Sequence, residues 1–162
     1  SMSSACIVLQ SDFGHGNSAA AMYGVVKSVQ AQLKVFDLTH HVPQFNVKAA
    51  GQNLAAQLLH WPEGTIFVSV VDPSMGTSFR PCAALTEDGY YIFTPDNGSL
   101  KYVEEQHGLK KMRDLSELKA TYAEEQGSEI LHGRDLAYCA ALLAAGEKSF
   151  EQLGPQYFSK EG

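Results

Sequence analysis

The apolar run Ala-Cys-Ile-Val-Leu at 5–9 closes on polar Gln10, Ser11 and Asp12. That pattern predicts a strand buried on both faces with a polar carboxyl end. From 17 to 32 the period changes. Ala21, Val25, Ser28 and Val29 recur at helical spacing, with Asn17 or Ser18 as the N-cap. Residues 34–38 (Lys-Val-Phe-Asp-Leu) predict a second strand. Residues 47–59 predict a second helix, with Ala50, Leu54, Gln57 and Leu58 on one face. The turn Trp61-Pro62-Glu63-Gly64 then leads into 65–71 (Thr-Ile-Phe-Val-Ser-Val-Val), the strongest strand in the chain. Strand, helix, strand, helix, strand in this order predicts a parallel sheet with helical crossovers.

The second half is less regular. Residues 82–86 and 90–94, joined through Glu87-Asp88-Gly89, predict a hairpin. A short helix at 99–107 stops at Gly108, and 110–115 predicts an edge strand. An Ala-rich helix at 135–145 ends at Gly146. The fold class that follows is a three-layer α/β/α sandwich with a mainly parallel, Rossmann-like sheet. It forms one domain over 1–154, followed by a linker-like tail over 155–162 marked by Gly154-Pro155.

Composition narrows the function. The 162 residues suit one domain, and 44% apolar content can fill a core. Twelve basic and eighteen acidic side chains give a net charge of −6, which argues against binding nucleic acid through a general basic face. No apolar run has the length of a membrane span. Cys6, Cys82 and Cys139 are an odd, widely spaced set that reads as reduced thiols, and no secretory signal is recognisable. Both point to a cytoplasmic protein. Ser1 ahead of Met2 reads as a remnant of an expression vector.

Ligands of open parallel sheets bind beyond the carboxyl ends of the strands. The first strand delivers Asp12, Phe13 and Gly14 there. The second delivers Asp37, Thr39, His40 and His41, and the third delivers Asp72 and the loop 73–77. The hairpin delivers Asp96-Asn97-Gly98, and His132-Gly133-Arg134-Asp135 precedes the last helix. Plainer readings stand beside this one. Asp12 suits a helix or loop cap, and Asp96-Asn97-Gly98 suits a turn with a cap. His40 and His41 suit loop or capping roles better than metal ligation, since no third ligand stands at a zinc spacing. Asp135 suits a first-turn acid. There is no dinucleotide fingerprint, no P-loop and no nucleophile elbow.

Five segments, taken in order, resemble one family. They are Ser-Asp-Phe-Gly at 11–14, Asp-Leu-Thr-His at 37–40, Val-Val-Asp-Pro at 70–73 with Gly76-Thr77, Thr-Pro-Asp-Asn-Gly at 94–98, and His-Gly-Arg-Asp at 132–135. Together they look like the S-adenosylmethionine (SAM) hydrolases, or SAM hydroxide adenosyltransferases, which are related to the SAM-dependent fluorinase and chlorinase. The resemblance runs from about Cys6 to Gly154.

The resemblance implies hydrolysis of SAM to adenosine and methionine, by attack of water or hydroxide on ribose C5′. SAM is the substrate, and neither cofactor nor metal is implied. The sulfonium is a good leaving group, so the work lies in aiming a desolvated nucleophile and handling its proton. By motif match, Asp72 and His132 act on the water and Asp12 binds the ribose hydroxyls. Phe13, Asn17, Asp96, Asn97 and Gly133 complete the implied substrate site. The family's third water-activating residue is an Arg. Phe79 holds its usual place here, and Arg80, one step later, is the candidate counterpart. One step along an extended chain reverses a side chain.

Asn17 stands where the family's first loop usually carries a second Asp. Family members also continue into a smaller β-rich domain that completes a neighbouring subunit's site in a trimer. The resemblance thus implies a homo-oligomer, and impaired turnover for the first domain alone. An alternative is a non-catalytic SAM- or adenosine-binding or assembly module. A halogenase fits poorly. The halogenases carry an aromatic residue at the place of Asp72, whose charge would repel a halide, and Met75 stands where the fluorinase has a hydroxyl residue.

Overall fold

The computed structural model describes residues 5–72 and 79–159. The chain runs β1 (Cys6–Ser11), α1 (Asn17–Val29), β2 (Lys34–Thr39), α2 (Val47–Gln57), β3 (Ile66–Val70), β4 (Pro81–Thr86), β5 (Tyr91–Pro95), α3 (Lys101–His107), β6 (Leu109–Asp114), α4 (Ser116–Gln126) and α5 (Arg134–Ala144). The described strands form one mixed sheet in the order β2-β1-β3-β5-β4-β6. β1 pairs parallel with β2 and β3, and β3 pairs parallel with β5. β4 runs antiparallel to both β5 and β6. This is the α/β fold that the alternation of periods predicts.

The apolar strands explain the layers. Alternate residues of β1 and β3 point to opposite faces. Ile7, Leu9, Ile66 and Val68 pack with Met22 and Val26 of α1 and with Leu136, Ala140 and Leu143 of α5. Val8 and Phe67 pack on the other face with Leu54 of α2 and Val103 of α3. Phe67 is 1% exposed, and truncating so buried an aromatic to Ala costs about 3–5 kcal/mol.

Two local expectations change, and one helix is new. The N-cap of α1 is Gly16, with no side-chain cap bond, so Asn17 is the first helical residue and not the cap. Residues 116–126, without a sequence prediction, are helical. Tyr122 is the one residue of α4 that is buried, so its good helix formers carry no apolar stripe to read. The linker-like tail lies against the sheet edge. Just ahead of it, Phe150 and Leu153 are buried. Asp114 N–H donates to the Pro155 carbonyl and Tyr157 N–H to that of Met112, covering β6. Gly154 makes this approach possible, since a Cβ there would collide with the Asp114 carbonyl oxygen.

Candidate functional site

The chain leaves β1 towards β2 and later returns to β3 on the other side of β1. The carboxyl ends of β1 and β3 therefore flank a switch point, the usual ligand crevice of such sheets. Asp12 follows β1 and Asp72 follows β3 by two residues. The two are close enough to feel each other. Burial pushes the Asp12 carboxyl above its ordinary range against the Phe45 N–H that lowers it, and the Asp72 charge adds to the rise.

The Asp12 loop is clasped by the loop after β2. Gly14 N–H donates to the His40 carbonyl at 2.7 Å and Val42 N–H to that of Ser11 at 3.3 Å. Phe45 N–H donates to Asp12 Oδ2 at 2.8 Å. Phe45 must turn sharply because Asn46, the next residue, caps α2 by accepting from Ala49 N–H. Its φ is +65°, an uncommon value for a bulky side chain, and the residue is 41% exposed. Phe13 is partly buried against the α1/α5 side of the core, which anchors the loop from below.

His132 is the other non-glycine residue with positive φ among those described, at +48°. Gly133 follows at φ +79°. A Cβ on Gly133 would come within 2.8 Å of Val70 Cγ2 and 3.1 Å of Met22 Sδ, so only glycine lets the start of α5 close on the end of β3. This brings the His132-Gly133 backbone beside Val70, two residues before Asp72. Arg134 staples the same loop, donating from Nε to the Leu131 carbonyl and from Nη2 to that of Ile130. Asn97 Nδ2 donates to the Val71 carbonyl at 2.8 Å and holds the chain entering Asp72. Backbone strain of this kind costs about 1–3 kcal/mol per residue and clusters at functional sites. Both cases here fall on the same rim.

Asp96 and Arg80 have partners in the tail. Asp96 is buried at the end of β5 and accepts from Tyr157 Oη at 2.8 Å and Ser159 Oγ at 2.7 Å. Arg80 lies at the start of β4, with Nε 3.6 Å from Asp114 Oδ2 and its guanidinium 4.6 Å over the Tyr157 ring. These two hold the tail. Asn17 is exposed at the start of α1. The loop residues Met75, Gly76 and Thr77 lie outside the described residues. No group of three or more potential metal ligands occurs among the described residues, and no described helix is long and apolar enough to cross a membrane.

Sequence reasoning passed over Phe45, Tyr23, and the side-chain chain that joins Asp37, His40 and Ser11. Register held the missing signal. β1 and β2 pair with Gln10 opposite Thr39, so Ser11 and His40 follow side by side.

A profile of the SAM hydroxide adenosyltransferase N-terminal domain matches residues 7–154. The chain is 30% identical over 135 residues to the (R)-S-adenosyl-L-methionine hydrolase of Methanocaldococcus jannaschii, covering 80% of this chain and 49% of that protein. It is 34% identical over 157 residues to the enzyme of the same name from Thermus thermophilus, covering 90% and 59%. To a fluorinase of Actinoplanes sp. it is 26% identical, covering 86% and 54%. A crystal structure of an uncharacterised conserved protein from Thermotoga maritima superposes with a TM-score of 0.86 at 32% identity, over 94% of this chain and 58% of that one. The chain thus spans about half the length of the curated relatives it matches. With the matching profile covering nearly all of its length, the chain belongs to the SAM hydroxide adenosyltransferase family and corresponds to its N-terminal domain.

Proposed function

We propose that this domain carries the water-activating and ribose-binding half of a SAM hydrolase. The observation that supports it most is that Asp12 and Asp72 follow the two strands that flank the switch point, on the rim that also carries the strained Phe45 and His132. In the reaction, a water oxygen forms a bond to ribose C5′ as the C5′–S bond breaks. The bonding pair goes to sulfur and methionine leaves as a neutral thioether. The water's proton passes to Asp72 or His132 and on to solvent. Asp12 accepts hydrogen bonds from the vicinal ribose hydroxyls, which a carboxylate with several lone pairs can do. The Phe45 N–H fixes its orientation. Asn97 and Gly133 act on the backbone that presents Asp72 and His132.

The relatives' names specify the R sulfonium epimer, and the same preference is proposed here. The test is incubation of the chain with each epimer of SAM and separation of the products. Adenosine and methionine released from the R form support the proposal. Adenosine binding without release supports the second reading, a binding module, which the commitment of Arg80 to Asp114 and Tyr157 favours. Neither binding nor release overturns both.

A further inference from the structure

Across the end of β2 runs a continuous side-chain chain. His40 Nε2 lies 2.6 Å from Asp37 Oδ1, and His40 Nδ1 lies 2.7 Å from Ser11 Oγ. Tyr23 Oη donates to the same Asp37 oxygen at 2.6 Å. Phe13 N–H donates to Ser11 Oγ at 3.2 Å. The order Ser-His-Asp has the form of a nucleophilic triad, but Ser11 is fully buried and its oxygen already accepts from Phe13, so no substrate carbonyl can reach it.

We propose that Asp37, His40 and Ser11 are a positioning relay for Asp12, with His40 neutral and its proton on Nε2. The inference rests on the ribose-binding role assigned to Asp12 above. The donor count fixes the protons. Asp37 Oδ1 can only accept, so Nε2 must carry a hydrogen. Tyr23 also gives it a hydrogen, because burial, with Asp37 adding, keeps the phenol protonated. At the other end, Phe13 N–H takes one lone pair of Ser11 Oγ. The hydroxyl hydrogen then points to Nδ1, which must be bare. An imidazolium would turn Nδ1–H towards Oγ and leave the hydrogen of the buried serine to find another acceptor.

What the relay holds is the backbone on both sides of Asp12. Ser11 is tied to His40 by its side chain and to Val42 N–H by its carbonyl. Phe13 is tied to Ser11 Oγ, and Gly14 N–H to the His40 carbonyl. The Asp12 carboxylate therefore has its direction set before a diol arrives, which lowers the ordering cost of binding. His40 touches no reacting atom and is a positioning residue.

Two measurements without substrate test the relay directly. Nitrogen-resolved NMR of the ligand-free chain is expected to show His40 as the Nε2–H tautomer, with that proton shifted far downfield by its short bond. In His40→Phe, amide exchange at Phe13, Gly14, Val42 and Phe45 is expected to speed up while core β3 amides keep their protection. An Nδ1–H tautomer, an imidazolium at neutral pH, or unchanged exchange at those four amides would overturn the proposal. These readouts stand even if the chain proves to have no hydrolase activity, so the two proposals can fail separately.

Adenosine titration adds the functional arm. Ser11→Ala and His40→Phe are each expected to weaken binding about tenfold, and the double variant no further, because the three residues act as one unit. Where turnover is measurable, KM for SAM rises while kcat changes by less than about threefold. Additive losses in the double variant, or a fall in kcat at constant KM, would count against a positioning role. His40→Gln, which retains polarity, separates a general loss of folding from loss of the relay.

Discussion

His40 and His107 each lean on an aspartate, at opposite edges of the sheet, and they differ in the third partner. At the carboxyl edge, His40 meets a hydroxyl, which can donate or accept, so the ring can stay neutral. At the amino edge, His107 Nδ1 lies 2.8 Å from Asp88 Oδ2 and Nε2 lies 2.9 Å from the Ala55 carbonyl. Both are acceptors, so both ring nitrogens must donate and His107 is an imidazolium. Burial alone would lower its pKa, but the Ala55 carbonyl and the Asp88 carboxylate together raise it. The Ala55 carbonyl lies in the last turn of α2, where carbonyls lack helical partners and a cation suits the dipole. One edge thus uses a His–Asp pair to aim a loop, and the other uses one to bolt α2 and α3 to the β4–β5 turn.

The largest expected effect tests whether chemistry belongs to the carboxyl edge alone. Asp72→Asn keeps size and loses the base. Adenosine formation is expected to fall by about 10²–10⁴, the usual worth of a positioned acid or base. The melting temperature should move less than it does for variants of His107. Retained turnover with lost stability would reverse the assignment of the two edges.

Next in size is His107→Leu. The His107 side chain is 4% exposed, and its removal takes a donor from the Ala55 carbonyl and leaves Asp88 to its bond from Thr86 and to solvent. A loss of about 1.5–3 kcal/mol is expected from urea unfolding, as for other hydrogen bonds to a charged group. Adenosine affinity should be unchanged, since His107 meets the last turn of α2, at the end opposite the Asn46 cap that adjoins Asp12.

A smaller effect separates the two histidines by pH. The folded pKa of His107 is raised, so its contribution is complete below the unfolded value of about 6.5 and is lost as pH climbs through the folded value. Asp88 works in the other direction. Burial would raise its pKa, but bonds from Thr86 and His107 hold it low, so its share is lost as pH falls through that lowered value. The stability difference between wild type and His107→Leu is therefore expected to shrink as pH rises above about 6.5. A difference that grows with pH would mean that His107 is neutral in the folded chain.

The two edges were not equally legible. β1 and β3 are buried on both faces, so their apolar runs announced a parallel sheet, and the topology marked its carboxyl ends as the place to expect a ligand. The same reasoning placed Asp12 and Asp72 after β1 and β3, and His132 and Gly133 just ahead of α5, while the roles expected of them came from the family resemblance. It did not find α4, whose exposed polar surface has no period to read. It left the tail as a linker because Gln156, Tyr157 and Ser159 are polar or mixed, and their partners Arg113 and Asp96 are more than 40 residues away. His40 was visible but read as a loop residue. Its meaning depends on Ser11 of the neighbouring strand, and sequence shows a side chain's type before it shows its partner.

The smallest expected effect falls on Arg80, and it decides whether the rim near β4 shares in the chemistry. Nε sits 3.6 Å from Asp114 Oδ2, a long and partly exposed ion pair worth about 0–1 kcal/mol. The guanidinium also covers the Tyr157 ring, a contact of about 0.5–1 kcal/mol when exposed. Tyr157 in turn donates to Asp96. Arg80→Ala should therefore loosen the tail, seen as faster proteolysis or amide exchange at Tyr157. Turnover of SAM should stay within about threefold of wild type, because those energies are spent two strands away from Asp72. A fall comparable to that of Asp72→Asn would show that Arg80 swings to the water in the substrate complex. The aromatic stacking on Tyr157 would then be the resting position of a mobile catalytic arginine, and the carboxyl edge would act as one site from β1 to β4.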